Sequence, residues 1–563
     1  MPSKALGLVA TAIVIFLLAC QSSPTATPDP TETPTLAPTA TVAAPEPTTT
    51  TRPQTATPAP TATPTGIQGG TLTIARREPV TSLDVHQEFS SALHSMGPGL
   101  AYSRLLRFQA PPEIELPSLA VECDLCESWE QPSPDTYVFK LREGVKWHNI
   151  APVNGRELTA DDVVFSLERQ RTQRWPNAGL LRAVDTIEVL GDYELQITLV
   201  APDADFLTNL ANARSKVVAP EVVRQFGDLV AAPVIGTGPW IVESHTPRKT
   251  ILLRNPDYFE PNVPYLDSLV IETTEDYRTR MAAFRIKDSD VVDVLPEEIE
   301  DLTSDHPTVT TVSVPLAGTG IELAINIAVA PFDNEAVREA AFLALDPWSA
   351  NEEVWAGQAF ISFGMPIASA SWLPDRQTLE PFFAQTTRAQ RLLRSTLGDS
   401  QVTFDLIVGD FGDSYIQYGN TIANQLSAAG FDPQIRVVDR GTFSSLAWFG
   451  GEYTMFLGPH PPMNTPNDYI LPVLHSNGQA NTHLYSSPAL NRLLELQSVI
   501  IYPDDREAAI KEIQAELLEA RARFMPATLN EVWGQWPWVQ DFYPNLTNGE
   551  YFFWSRVWLQ DKP

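Results

Sequence analysis

A chain of 563 residues exceeds what one ordinary hydrophobic core holds, so two or more domains, or one large two-lobed unit, are expected. With 38 Lys plus Arg against 69 Asp plus Glu, the net charge of −31 repels a phosphate backbone on average. That balance excludes nucleic acid as a general partner and suits a soluble surface protein.

The chain opens with Lys4 and the apolar run ALGLVATAIVIFLLA, residues 5–19. A positive residue followed by a run shorter than a transmembrane span has the form of a secretory signal peptide, here residues 1–20. The run closes on Leu17, Leu18, Ala19 and Cys20, which resembles the lipobox of bacterial lipoproteins. The resemblance implies that Cys20 carries lipid, becomes the first mature residue and anchors the protein on the extracytoplasmic side of the cell membrane. A thiolate is the strong nucleophile that such acylation needs. Residues 21–67 are a low-complexity Thr/Pro/Ala segment with too few large apolar side chains to form a core. In extended polyproline form, about 46 residues would reach ~140 Å, so the segment reads as a tether.

The folded part is expected to begin at residue 68. GGTLTIARRE alternates apolar and polar residues behind a glycine pair, as an opening strand does. Cys123 and Cys126 in VECDLCESW admit a small-loop disulfide, a redox dithiol or half of a metal site. The disulfide is favoured, because no second ligand pair is spaced for zinc and no strand-to-helix context surrounds the motif. TYVFKLREGVKWH predicts a further strand, and TADDVVFSLERQR a helix capped by Thr159 with Asp161 and Asp162 in its first turn. AVDTIEVLGDYELQITLVAP reads as a hairpin turning at Gly191 and Asp192. Gly236 to Pro239, GTGP, reads as a tight turn in which glycine supplies unusual backbone angles. KTILLRNPDYF predicts a strand running into a turn, and Ile510, Ile513 and Leu517 share one face of a late helix. Strands mixed with helices, without a 20-to-50-residue repeat, point to an α/β or α+β architecture rather than a solenoid.

Five of these stretches, GGTLTIARREPVTSLDVH, CESWEQPSPDTYVFKLREGVKWHN, LTADDVVFSLER, GTGPWIVESHTPRKTILLRNPDYF and LAINIAVAPFDNEAVREAAFLALD, resemble in order and spacing the family 5 extracellular solute-binding proteins. These are the peptide and oligopeptide receptors of ABC importers, a family that also includes nickel and oligosaccharide binders. The resemblance implies an α/β bilobal periplasmic-binding-protein (Venus-flytrap) fold, type II or cluster C-like. Lobe one would span 68–320 with an extra subdomain at about 110–230, lobe two 321–532, and residues 533–563 would return to lobe one. It further implies a monomer without cofactor or metal that closes on a solute, most readily a peptide, and meets an ABC permease served by an ATPase subunit.

Candidate contacts follow from the same resemblance. In peptide-binding relatives the chain after an LDPH-like segment, here LDVH at 83–86, meets the ligand backbone, which maps onto Phe89, Ser90 and Ser91; an exposed edge there would pair with an extended peptide. Relatives also hold the ligand's ammonium on an acidic residue in a segment like WGADYPDPDNFL. Here LGPHPPMNTPNDYIL, 457–471, places Pro462 at that position, leaving Asp468 or another carboxylate as a replacement and His460 as a polar contact or metal ligand. A buried ammonium without a counter-charge costs several kcal/mol, so an amine-free solute such as an oligosaccharide or a nickel chelate is the alternative. Thirteen tryptophans, Trp240, Trp355 and Trp372 among them, offer stacking faces, although most large aromatics serve as core. No G-x-S-x-G elbow, H-E-x-x-H helix or Walker loop occurs, so binding is expected rather than catalysis, with a secreted glycosidase as the rival class and a tethered sensor receptor as a third.

Overall fold

Alternation in TLTIAR buries Leu72 and Ile74 in the strand Thr71–Arg76, which pairs in parallel with Ser268–Thr273 on one side and Val291–Val294 on the other. The computed structural model describes residues 66–563 apart from 317, 319, 367, 368, 462, 464 and 546–548. The signal peptide, Cys20, the tether up to residue 65 and Pro462 lie outside the described residues.

Among the described residues, twelve strands connect into one sheet, ten of them on a path running from Phe431–Val438 through Val402–Gly409, Met455–Pro459 and Ile321–Ile325 to Arg523–Gln535, then on to Val291–Val294 and Thr71–Arg76, and two more pairing with Arg523–Gln535 off that path. The long strand Arg523–Gln535 holds this path together by changing partners along its length. Arg523 to Ala527 pair with Ile321–Ile325, whereas Asn530 to Gln535 pair with Thr310–Pro315. The chain therefore passes between two bodies at two neighbouring places, residues 315–321 and 527–530. Each body has its own core. One gathers Ile321, Leu323, Phe342, Leu406, Leu457, Ile510, Ile513 and Phe524; the other gathers Leu72, Ile74, Trp240, Leu269, Val292, Trp533 and Trp554.

A third core, drawn from residues 80–235, covers a four-stranded antiparallel sheet of Cys126–Ser133, Thr136–Leu141, Glu194–Leu199 and Val184–Gly191. Its helix Ala160–Gln170 starts in a capping box: Thr159 and Asp162 satisfy each other's backbone N–H groups. Asp162 also accepts bonds from Arg156 at 2.6 Å and Trp147 at 3.2 Å. Cys123 and Cys126 are joined by a disulfide at the edge of this core.

The GTGP segment departs from its sequence reading. Neither Gly236 nor Gly238 adopts a positive φ. Glycine is required by close approach instead: a Cβ on Gly236 would lie 1.9 Å from the Ala101 carbonyl oxygen, and the Gly238 N–H donates to that same oxygen at 2.9 Å. Among the described residues no helix is long and apolar enough to cross a membrane.

Candidate functional site

The LDVH segment is a buried anchor. Asp84 accepts two bonds from the Arg169 guanidinium, at 3.0 and 2.5 Å, and His86 bridges Arg169 and the Lys216 carbonyl at 2.9 Å each. Burial opposes ionisation of Asp84, yet the Arg169 pair holds its carboxyl below the ordinary value. Burial and then the Arg169 charge push His86 down to about 4, so it is a neutral spacer at neutral pH. This anchor precedes the turn that displays Phe89, a residue 60 % exposed. The Arg214 guanidinium stands 5.1 Å from the ring centroid and is steadied by the Asn177 and Asn212 side-chain oxygens at 3.2 Å. Burial pulls Arg214 down to about 10, while the nearby Asp468 charge favours its ionised form.

Ser90 and Ser91 do not form the extended edge expected of them. Ser90 caps the short helix Ser91–His94, and the carbonyls of both serines accept bonds from N–H groups of residues 93–96. Those two oxygens are already engaged in a helical turn and are not open to an added peptide strand. Trp240 is also corrected. It is fully buried in the core that holds Leu72, Ile74 and Trp533, where no face of its indole is open for stacking.

In the body built on residues 321–527, His460 is buried, its Nδ1 2.7 Å from the Pro461 carbonyl and its ring edge-on to Tyr469. Burial lowers its pKa, with the Glu322 charge opposing. Glu322, which sequence reasoning missed, sits fully buried on the central strand Ile321–Ile325 and accepts two bonds from Arg523, at 2.8 and 2.5 Å, and one from the Tyr469 hydroxyl. Burial, then the Glu322 charge, raises the Tyr469 hydroxyl well above its ordinary value, so it stays a donor. Asp468 faces the other body, where Arg182 donates to it at 2.5 Å. Thus Asp468, within the segment that would carry an ammonium anchor, and Glu322, bonded to Tyr469 in it, are each ion-paired to an arginine. The structure brings Phe89, Arg214 and Asp468 into one region and leaves Trp240 outside it. Arg214 and Arg182 carried no sequence signal, because neither lies in a motif and their neighbours come from distant stretches. Among the described residues no group of His, Cys, Asp or Glu is placed to hold a metal ion.

Two bodies joined by two adjacent chain passages define the class: the fold is that of the bilobal periplasmic binding proteins. It is shared with the DppA peptide-binding protein of Helicobacter pylori in complex with the peptide STSA, at TM-score 0.64 and 22 % identity over 88 % of this chain and 99 % of that one. It is shared also with the open, unliganded murein tripeptide-binding protein MppA, at TM-score 0.75 and 17 % identity over 88 % and 99 %. Residues 120–482 match the model of the bacterial extracellular solute-binding proteins, family 5 Middle, and the chain belongs to that family. A probable di/tripeptide-binding protein of Pseudomonas aeruginosa is 25 % identical over 81 % of this chain and 89 % of its own length. The family binds solutes and is not one of enzymes.

Proposed function

We propose that this solute-binding protein captures a peptide between its two bodies and delivers it to an ABC permease whose ATPase is a separate subunit. The observation that carries this reading is a match over most of the chain to a relative named for binding di- and tripeptides. In this reading 68–320, with its subdomain at about 110–230, forms lobe one, 321–532 lobe two and 533–563 the return, and a monomer is tethered to the membrane through lipid on Cys20. Phe89 and Arg214 on one side and Asp468 on the other then flank the solute, and His460 lies behind that surface.

A second reading has a specific basis. Because Asp468 is held by Arg182 and Glu322 by Arg523, neither is an uncommitted partner for a ligand ammonium. An amine-free solute, such as a blocked peptide, an oligosaccharide or a metal chelate, is bound as readily in that case. Titration of intrinsic tryptophan fluorescence with Ala-Ala-Ala and with N-acetyl-Ala-Ala-Ala separates the two. A free-amine peptide binding at least tenfold more tightly supports ammonium recognition, equal binding supports the second reading, and binding of neither, across a wider set of peptides, sinks the peptide assignment.

A further inference from the structure

The region of the third core, which contains the subdomain, meets the body containing 321–527 through a buried polar junction. Asp205 is fully buried and accepts Arg506 Nη1 on Oδ1 at 2.6 Å and the Asn467 backbone N–H on Oδ2 at 2.7 Å. Arg506, 4 % exposed, also donates from Nη2 to Gln497 Oε1 at 3.1 Å and to Asn467 Oδ1 at 3.2 Å. The Ala204 N–H donates to the Ser498 carbonyl at 2.9 Å. Arg182 also holds Asp468 at 2.5 Å, and the Ala370 N–H donates to the Pro117 carbonyl at 2.7 Å. The partners Asp205 and Arg506 are 301 residues apart. Apart from the two chain passages at 315–321 and 527–530, no covalent path joins these bodies.

A buried ion pair of this kind depends on all its partners. With every partner present the charges are satisfied, but removing one strands the other in a medium that penalises it. We propose that this Asp205–Arg506–Asn467 junction is a brace that holds the subdomain and lobe two together, adding a third, non-covalent restraint to the two chain passages and so limiting how far the lobes separate. The inference goes beyond the proposed function and rests on it only in treating the two bodies as mobile lobes.

Hydrogen exchange of the full chain tests it through the two amides that bridge the bodies, those of Ala204 and Asn467. In the wild-type protein both are protected. Asp205→Asn is expected to speed their exchange about tenfold or more while the core strands Thr71–Arg76 and Val402–Gly409 keep their protection. Unchanged exchange at both amides, or wild-type exchange already as fast as that of exposed loops, overturns the brace. Should Asp205→Asn fail to fold, Arg182→Gln carries the test, since that side chain is 54 % exposed and tolerates replacement. It should accelerate exchange at 467–468, and no change there likewise overturns the proposal. No solute is added in this measurement. A protein that binds no peptide would therefore leave the brace standing, whereas peptide binding with unaltered exchange in Asp205→Asn would remove the brace and keep the function.

Discussion

His148 shows how one buried side chain sets a pH limit on the whole fold. Its Nδ1 lies 3.3 Å from the Gly236 N–H, which donates to it, and its Nε2 lies 3.1 Å from the Gly238 carbonyl, to which it donates. That arrangement needs the neutral ring, and burial accordingly pushes the imidazole down to about 4. The folded state then binds fewer protons than the unfolded one, so stability is fully present above the unfolded value near 6.5 and is lost as pH falls from there toward 4. At pH 5 His148 alone should remove about 2 kcal/mol relative to pH 8. Denaturant midpoints measured at both values should show this loss, and a His148→Gln variant should show a shallower pH slope. The neighbouring Gly236 is constrained by space: its Cβ would strike the Ala101 backbone oxygen, so Gly236→Ala should cost about 3 kcal/mol in chemical denaturation. A loss under 1 kcal/mol would show that this contact relaxes freely.

At the scale of elements, short-range patterns were readable and partner choice was not. The alternation in TLTIAR and the 3.6-residue spacing of Ile510, Ile513 and Leu517 became the strand Thr71–Arg76 and the buried face of Pro503–Ala520, since each pattern states which side chains leave water. In the GTGP segment glycine answers to close approach rather than to unusual backbone angles, and that approach to Ala101 depends on the short 3-10 helix Pro98–Ala101 and a loop more than 100 residues away. Ser90 and Ser91 lie in a short helical turn that no periodicity announced, as a single turn is too brief to display one. The Cys123–Cys126 bond closes a loop of sequence separation 3, a contact so local that spacing suggests it. Chain-entropy arguments give such a small loop roughly 2 kcal/mol. A Cys123→Ser, Cys126→Ser double variant should be less stable by that amount in urea, with its m-value unchanged; no loss would assign the bond a role other than stability.

Across the whole molecule, the long strand Arg523–Gln535 serves both bodies, and this shared element makes the protein two lobes rather than two independent domains. If the two chain passages act as a hinge, a contact that links the bodies elsewhere, such as Asp205 with Arg506, has leverage over the lobe arrangement. If Phe89 and Arg214 flank the solute, then Phe89→Ala and Arg214→Gln should each weaken binding of Ala-Ala-Ala about tenfold while leaving the thermal midpoint within a few degrees. Calorimetric titration reads the first effect and a melting curve the second. Unchanged affinity in both variants would move the solute elsewhere between the lobes.

By itself the sequence determined the alternating elements, the local disulfide spacing and family membership, because these depend on residues close in the chain or on several motifs kept in order. Only the tertiary structure decided which charges meet. Nothing in APDADF or DDREAA indicates that Asp205 will bury itself against Arg506, that Arg182 will occupy Asp468, or that Trp240 will vanish into a core. Such pairings arise where separate stretches are carried past one another by the sheet, and the free energy of a buried charge depends on what lies opposite it rather than on its neighbours in the chain.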